Sequence, residues 1–150
     1  MKVDIMFTVG HDLMGEIIEA VTDSEFSHAS IFLLDGIVEA VGEGVVISDI
    51  HKYDKIGKEI ITVEVPEIDL SIAMAESLIG KEYGLGDCVT GALYDLTGIE
   101  VGGLNKDTVN CSETVTLILR AGGVFILPEL ESGCITPQDL YKELKRLTSE

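Results

Sequence analysis

Two apolar runs, Phe26-Ser27-His28-Ala29-Ser30-Ile31-Phe32-Leu33-Leu34 and Ile37-Val38-Glu39-Ala40-Val41, flank the dipeptide Asp35-Gly36. Asp-Gly between such runs is a strong hairpin signal, because the favoured two-residue turn needs positive φ at both positions. The segment therefore reads as two antiparallel strands. With residues 34 and 37 paired across the turn, 32 stands opposite 39, and side chains share a face at every second position. His28, Ser30 and Phe32 then lie on one face with Glu39 and Val41. That places an imidazole and a carboxylate on one surface. Taken singly, each has a plainer use: Glu39 as a solvated charge, His28 as a satisfied polar group at a strand start.

The remaining pattern extends this hairpin into an α+β chain. Val3 to Val9 reads as a strand, and Leu13, Ile17 and Val21 recur at helical spacing between Asp12 and Thr22. A short strand falls near Val45–Ile47, and Glu59 to Val65 alternates up to Pro66. Ile68 to Ile79 reads as a helix closed by Gly80, and Leu85 to Leu96 as another closed by Gly98. A last helix starts at Thr136 with Pro137 in its first position. Strands cluster early and helices late, so the expected architecture is a small antiparallel sheet or half-barrel packed against helices.

The second chemical signal is Asn110-Cys111-Ser112-Glu113-Thr114-Val115, continued by Thr116-Leu117-Ile118-Leu119 and ended by Gly122-Gly123. Asn110 is a good N-cap, and Glu113 stands where its carboxylate reaches back to the cap's own N–H. Cys111 becomes the first helical residue, at the positive end of the helix dipole. There thiolate is favoured over thiol, and thiolate is the nucleophile. Buried unreactive cysteines are common, so this segment alone leaves catalytic and structural readings about even. With His28 and Glu39 it completes a set of nucleophile, base and orienting group.

Several of these segments, in order, resemble the permuted NlpC/P60 proteins, papain-like thiol enzymes of the YiiX/YaeF type with distant lecithin–retinol acyltransferase relatives. Ser27-His28-Ala29-Ser30-Ile31-Phe32, Asp35-Gly36-Ile37-Val38-Glu39-Ala40 and Gly44-Val45-Val46-Ile47 resemble the histidine-bearing half. Asn110-Cys111-Ser112-Glu113 resembles the nucleophile segment, and Ile135-Thr136-Pro137-Gln138-Asp139-Leu140 the closing helix start. Asp4-Ile5-Met6-Phe7-Thr8-Val9-Gly10 and Ile79-Gly80-Lys81-Glu82-Tyr83-Gly84 also fit. The histidine precedes the cysteine here, as the permuted form requires. The resemblance implies that Cys111 attacks a carbonyl, His28 shuttles the proton and Glu39 orients the imidazole. It also sets Tyr83 where such proteins often carry an aromatic near the pocket; packing is the plainer use of that ring. The chain departs from the pattern in its very apolar histidine strand and in having Asn110 before the nucleophile, which bears on pocket shape and substrate.

Composition bounds the rest. The 150 residues, 46% hydrophobic, suit one domain spanning 1–150, with no repeat or linker-like stretch to divide it. Gly98 to Gly103 reads as loops rather than a boundary. No apolar stretch approaches the about 20 residues of a membrane span, and the N-terminus lacks a signal-peptide pattern, so the expected location is cytoplasmic, with export by another route as the alternative. Ten Lys and Arg against 27 Asp and Glu give a formal charge of −17, which opposes nucleic acid and anionic membranes.

Three cysteines without a CxxC pair give no disulfide framework and no zinc signature. Cys88 reads as core, and Cys134 as a loop residue, incidental or a second reactive thiol. His11, His28 and His51, with Asp12 and Asp49, match no short metal motif, so neither metal nor cofactor is expected. His11 reads as a helix-start residue beside an Asp12 cap, and His51 as a surface loop residue. The functional expectation is a cysteine-dependent amidase or peptidase acting through an acyl-enzyme. The resemblance points to cell-wall peptides or related γ-linked amides, so the expected partner is a small peptide or acyl-amide substrate. The alternatives are a lipid thioesterase or acyltransferase, and a non-catalytic peptide- or lipid-binding module.

Overall fold

The computed structural model describes residues 1–9, 26–56, 58–84 and 108–149. The helices expected over 12–22 and 85–96, the loops from Gly98 to Gly103, and the side chains of His11 and Cys88 lie outside the described residues.

Five strands form one antiparallel sheet: β1 (Lys2–Thr8), β2 (His28–Leu33), β3 (Gly36–Val41), β4 (Gly44–Ser48) and β5 (Lys58–Glu64). Their order is β4-β3-β2-β1-β5, so a meander of four strands is completed when β5 returns to the free side of β1. The register aligns one set of alternating side chains across the whole sheet: Ile5 pairs with both Ile31 and Ile61, and Ile31 pairs with Val38. Val3, Ile5, Phe7, Ala29, Ile31, Val38, Ala40, Val45, Ile61 and Val63 all enter the core from this face. A one-residue slip would turn them all outward, which is why the register is firmly specified.

Helices cover that face. α1 (Ile68–Leu78) contributes Ala75 and Leu78, α2 (Cys111–Ala121) contributes Val115, Ile118 and Leu119, and α3 (Pro137–Thr148) contributes Leu140 and Leu144. Each fully buried aliphatic side chain is worth about 1.5–3 kcal/mol relative to exposure, so α2 alone, with three, is firmly held to the sheet. Ser71 donates to the Ile118 carbonyl at 2.7 Å, tying α1 to α2. Thr136 caps α3 in a reciprocal box with Asp139, and Pro137 occupies its first turn, as the sequence pattern anticipates. The architecture is α+β. No helix among the described residues is long and apolar enough to cross a membrane.

The first hairpin differs from expectation by one residue on each strand. Leu33 pairs with Gly36, not Leu34 with Ile37, and the turn residues are Leu34 and Asp35 at φ 55° and 58°. Gly36 is claimed by the sheet instead. A Cβ there would stand 2.7 Å from Ile47 Cγ2 and 2.8 Å from the Ser48 carbonyl oxygen, so β4 can lie this close only beside glycine. The turn accordingly falls on a leucine, at a left-handed-conformation cost of about 1–2 kcal/mol. Because the slip moves both strands together, the faces are preserved. Even residues of β2 still share a side with odd residues of β3.

Candidate active site

Cys111 opens α2, and its position is secured from several directions. The Asn110 side chain accepts from Glu113 N at 2.7 Å, while Glu113 accepts from Asn110 N at 3.3 Å, completing the capping box read from the sequence. Ser112 donates to the Ile135 carbonyl at 2.5 Å, and Ser132 to the Glu113 carboxylate at 3.1 Å. The helix start is thereby clamped to the short turn Ser132–Cys134. Cys111 itself is 3% exposed, and its Sγ lies 3.8 Å from the carbonyl oxygen of Ser27, 84 residues upstream.

His28 begins β2, and its Nε2 lies 2.7 Å from Glu39 Oε2. The Cys111 thiol, beside the Ser27 carbonyl, is the other group that acts on the imidazole. Glu39 is fully buried on the sheet face opposite Val38 and Ala40. A carboxylate offers about four lone-pair sites, and here all are taken. Oε2 accepts from His28 and, at 2.6 Å, from the Tyr53 hydroxyl; Oε1 accepts from Ser48 Oγ at 2.6 Å and from the Lys52 ammonium. The Tyr53 and His28 rings lie 6.0 Å apart, and Lys52 Nζ sits 5.2 Å from the centre of the Tyr53 ring.

The electrostatics follow from these partners. Burial opposes charge on His28, but hydrogen bonds to Cys111 and Glu39 and their negative charge outweigh it, raising the imidazole from 6.5 to about 9. Burial likewise opposes charge on Glu39, yet bonds from His28, Lys52, Ser48 and Tyr53 bring the carboxyl down to about 2. Burial and then the Glu39 carboxylate push the Tyr53 phenol well above its ordinary range. For Cys111, burial disfavours the thiolate, whereas the His28 bond and charge, followed by the Ala29 and Ser112 amides, favour it; the net shift is downward. The arrangement can thus hold a thiolate–imidazolium pair over an ionised carboxylate.

Of the residues singled out in the sequence, Cys111, His28 and Glu39 are brought together. Tyr83 pairs with Val109 in the short parallel ladder of β6 (Glu82–Tyr83) and β7 (Thr108–Val109), just upstream of Asn110 and Cys111. Its ring packs, half-buried, against the core. Ser30, on the same face as His28, keeps a buried hydroxyl that has no hydrogen-bond partner among the described residues. His51 is exposed and bonded to Asp54, in keeping with a surface loop. Among the described residues no three His, Cys, Asp or Glu side chains gather into a metal-binding group.

Sequence reasoning missed Ser48, Lys52 and Tyr53. Ser48 could have been found, since extending the alternation into β4 sets it opposite Ile37, next on that face to Glu39. Lys52 and Tyr53 come from an irregular segment that no periodicity addresses. The reading of the cysteines also needs correction: Cys134 is disulfide-bonded, so it is neither incidental nor a second reactive thiol, and Cys111 is the free cysteine among the described residues. Near-sequence spacing carries no trace of such a link, because the pairing is set by the fold. Disulfides persist chiefly in oxidising compartments, which sets this finding beside the cytoplasmic expectation rather than behind it.

No family model matches the chain, and no curated protein matches it. Among solved structures, the metalloprotein yiiX (DUF1105) from Escherichia coli O157:H7 is similar over 69% of each chain, with 19% sequence identity and a TM-score of 0.48. A likeness of that degree assigns neither a family nor an activity.

Proposed function

We propose that this chain is a papain-like thiol hydrolase of the permuted NlpC/P60 kind, cleaving an amide through an acyl-enzyme. The observation that carries the reading is the Cys111 thiol set against the Ser27 carbonyl, next in the chain to His28, whose imidazole is held 2.7 Å from the buried Glu39 carboxylate. A thiol at a helix start, bonded to an imidazole that is itself held by a carboxylate, is the constellation that activates sulfur nucleophiles.

In this reading the Cys111 thiolate attacks the amide carbon, and the C=O electron pair moves to oxygen. The backbone N–H of Cys111, at the first position of its helix, would donate to that oxygen. Protonated His28 then gives its proton to the departing amine as the C–N bond breaks. The neutral imidazole next takes a proton from water as that water's oxygen attacks the acyl carbon; the C–S bond then breaks, releasing the acid and restoring the Cys111 thiolate beside protonated His28. Glu39 keeps the ring oriented and supports its charge. The substrate class, a small peptide or acyl-amide of cell-wall type, rests on the motif resemblance.

The test is alkylation of Cys111 by iodoacetamide as a function of pH, read by peptide mass spectrometry on the native chain and on His28→Ala. Thiolate reactivity well below the ordinary thiol value of about 8.5, lost without His28, is the expected result. A Cys111 that titrates like an ordinary thiol in both proteins would overturn the proposal. Peptide amides and oxygen esters assayed side by side then separate an amidase from an acyltransferase.

A further inference from the structure

The Glu39 carboxylate has a second counter-ion that the hydrolytic reading does not use. Lys52 and Tyr53 come from the segment between β4 and β5, and both bond to Glu39, Lys52 at Oε1 and Tyr53 at Oε2. Ser48, at the end of β4, completes the Oε1 side. Among the described residues, the groups facing His28 are Cys111 from α2, Glu39 from β3 and Tyr53. Those facing Glu39 are His28, Ser48, Lys52 and Tyr53. The set carries a thiolate, an imidazolium, a carboxylate and an ammonium, which sum to no net charge.

That balance matters at one step. When the imidazolium hands its proton to a leaving group, Glu39 loses one of its two positive partners while still fully buried. An ionised carboxylate without a counter-ion in such a place is strongly disfavoured. The imidazole would then hold its proton against transfer. Lys52 leaves Glu39 paired whether His28 is charged or neutral. Its side chain is 40% exposed, so its own charge stays in contact with water.

We propose that Lys52 is a positioning residue that acts through Glu39 to moderate the proton affinity of His28, with Tyr53 assisting from the second oxygen. The proposal rests on the thiol-hydrolase reading for its purpose, but not for its measurement. Lys52→Met removes the ammonium, so Glu39 acts on His28 with its charge undivided. Lys52→Arg keeps the charge. Tyr53→Phe keeps the ring and removes one donor from Oε2.

The experiment is an NMR titration of the His28 ring in the full-length chain, run for each variant with Cys111 present and in a Cys111→Ala background. Neighbouring opposite charges shift a pKa by about 1–3 units, and Lys52 acts at one remove, so the His28 midpoint should rise by about one pH unit in Lys52→Met. It should return to the native value in Lys52→Arg and rise by less in Tyr53→Phe. A purely structural lysine would leave the midpoint unmoved. Unchanged midpoints in Lys52→Met and Tyr53→Phe overturn the proposal, even where Cys111 is reactive. If Lys52→Met does not fold, Lys52→Gln takes its place, with the same two outcomes. A Lys52-dependent midpoint in the Cys111→Ala chain sustains the positioning role even if Cys111 itself proves an ordinary thiol.

Discussion

Replacing Glu39 by Gln tests the site at its centre, because the carboxylate accepts four hydrogen bonds, two on each oxygen. An amide keeps the shape but turns one of those oxygens into a donor. Facing His28 and Tyr53, the new NH2 would oppose an imidazolium N–H that cannot accept. Facing Ser48 and Lys52, it meets a hydroxyl that can rotate to accept and an ammonium that can swing into water. The second orientation therefore wins, and His28 retains an acceptor, now neutral. Hydrogen bonds to a charged partner contribute about 1.5–3 kcal/mol and neutral ones about 0.5–1.5 kcal/mol. The imidazolium thus loses about 1.4 kcal/mol of support, equivalent to about one pH unit. The His28 midpoint should fall from about 9 towards about 8. Unfolding in urea should lose about 2 kcal/mol, the His28 part plus less than about 1 kcal/mol for the half-exposed Lys52 pair. NMR of the His28 ring and urea unfolding at neutral pH read the two quantities. If neither moves, the charge of Glu39 is not what holds the imidazole, and the electrostatic account of the site fails.

Acid should destabilise the fold through the same residue. Glu39 is held near 2 against an ordinary 4.5, so its contribution is complete above 4.5 and is lost as pH falls towards 2. Linkage puts it at about 3 kcal/mol, so urea midpoints between pH 6 and 2.5 should fall less steeply in Glu39→Gln than in the native chain. Cys111→Ala should abolish turnover and change unfolding by only about 1 kcal/mol, because the first turn of a helix tolerates alanine; a larger loss in urea would mark the thiol as a packing residue. Asn110→Ala removes the cap and should cost about 1 kcal/mol, read by urea unfolding. The same change should slow Cys111 alkylation by loosening the turn that carries it. Gly36→Ala should cost about 1–3 kcal/mol by forcing β4 away from β3, measurable as a lowered thermal midpoint, and should disturb Ser48 on Glu39.

The parts of the site that were legible in the sequence owe it to strong local rules. Asn110, Cys111 and Glu113 announce a capped helix start because the cap chemistry is contained within four residues. His28 and Glu39 were placed on one face because alternation by two survives any register error that moves both strands together. The turn was misplaced because Asp-Gly satisfies a turn rule locally, whereas Gly36 answers to Ile47 and Ser48 across the sheet. Lys52 and Tyr53 were invisible for a related reason. Neither obeys a period, and what selects them is the need to satisfy a carboxylate buried by residues far away in the chain. Cys134 had the same character, its bond being a fact of three-dimensional proximity.

The thiol's contact with the Ser27 carbonyl spans 84 residues, and its partner His28 lies next to that carbonyl in the chain. During synthesis the histidine emerges first, and no nucleophile yet exists for it to activate. When Cys111 emerges, it remains an ordinary thiol, mostly protonated at neutral pH, until α2 docks on the sheet. Nascent and misfolded chains would therefore carry a sluggish sulfur. Chemical danger to neighbouring molecules, and to the chain itself, would begin only at the moment folding is finished.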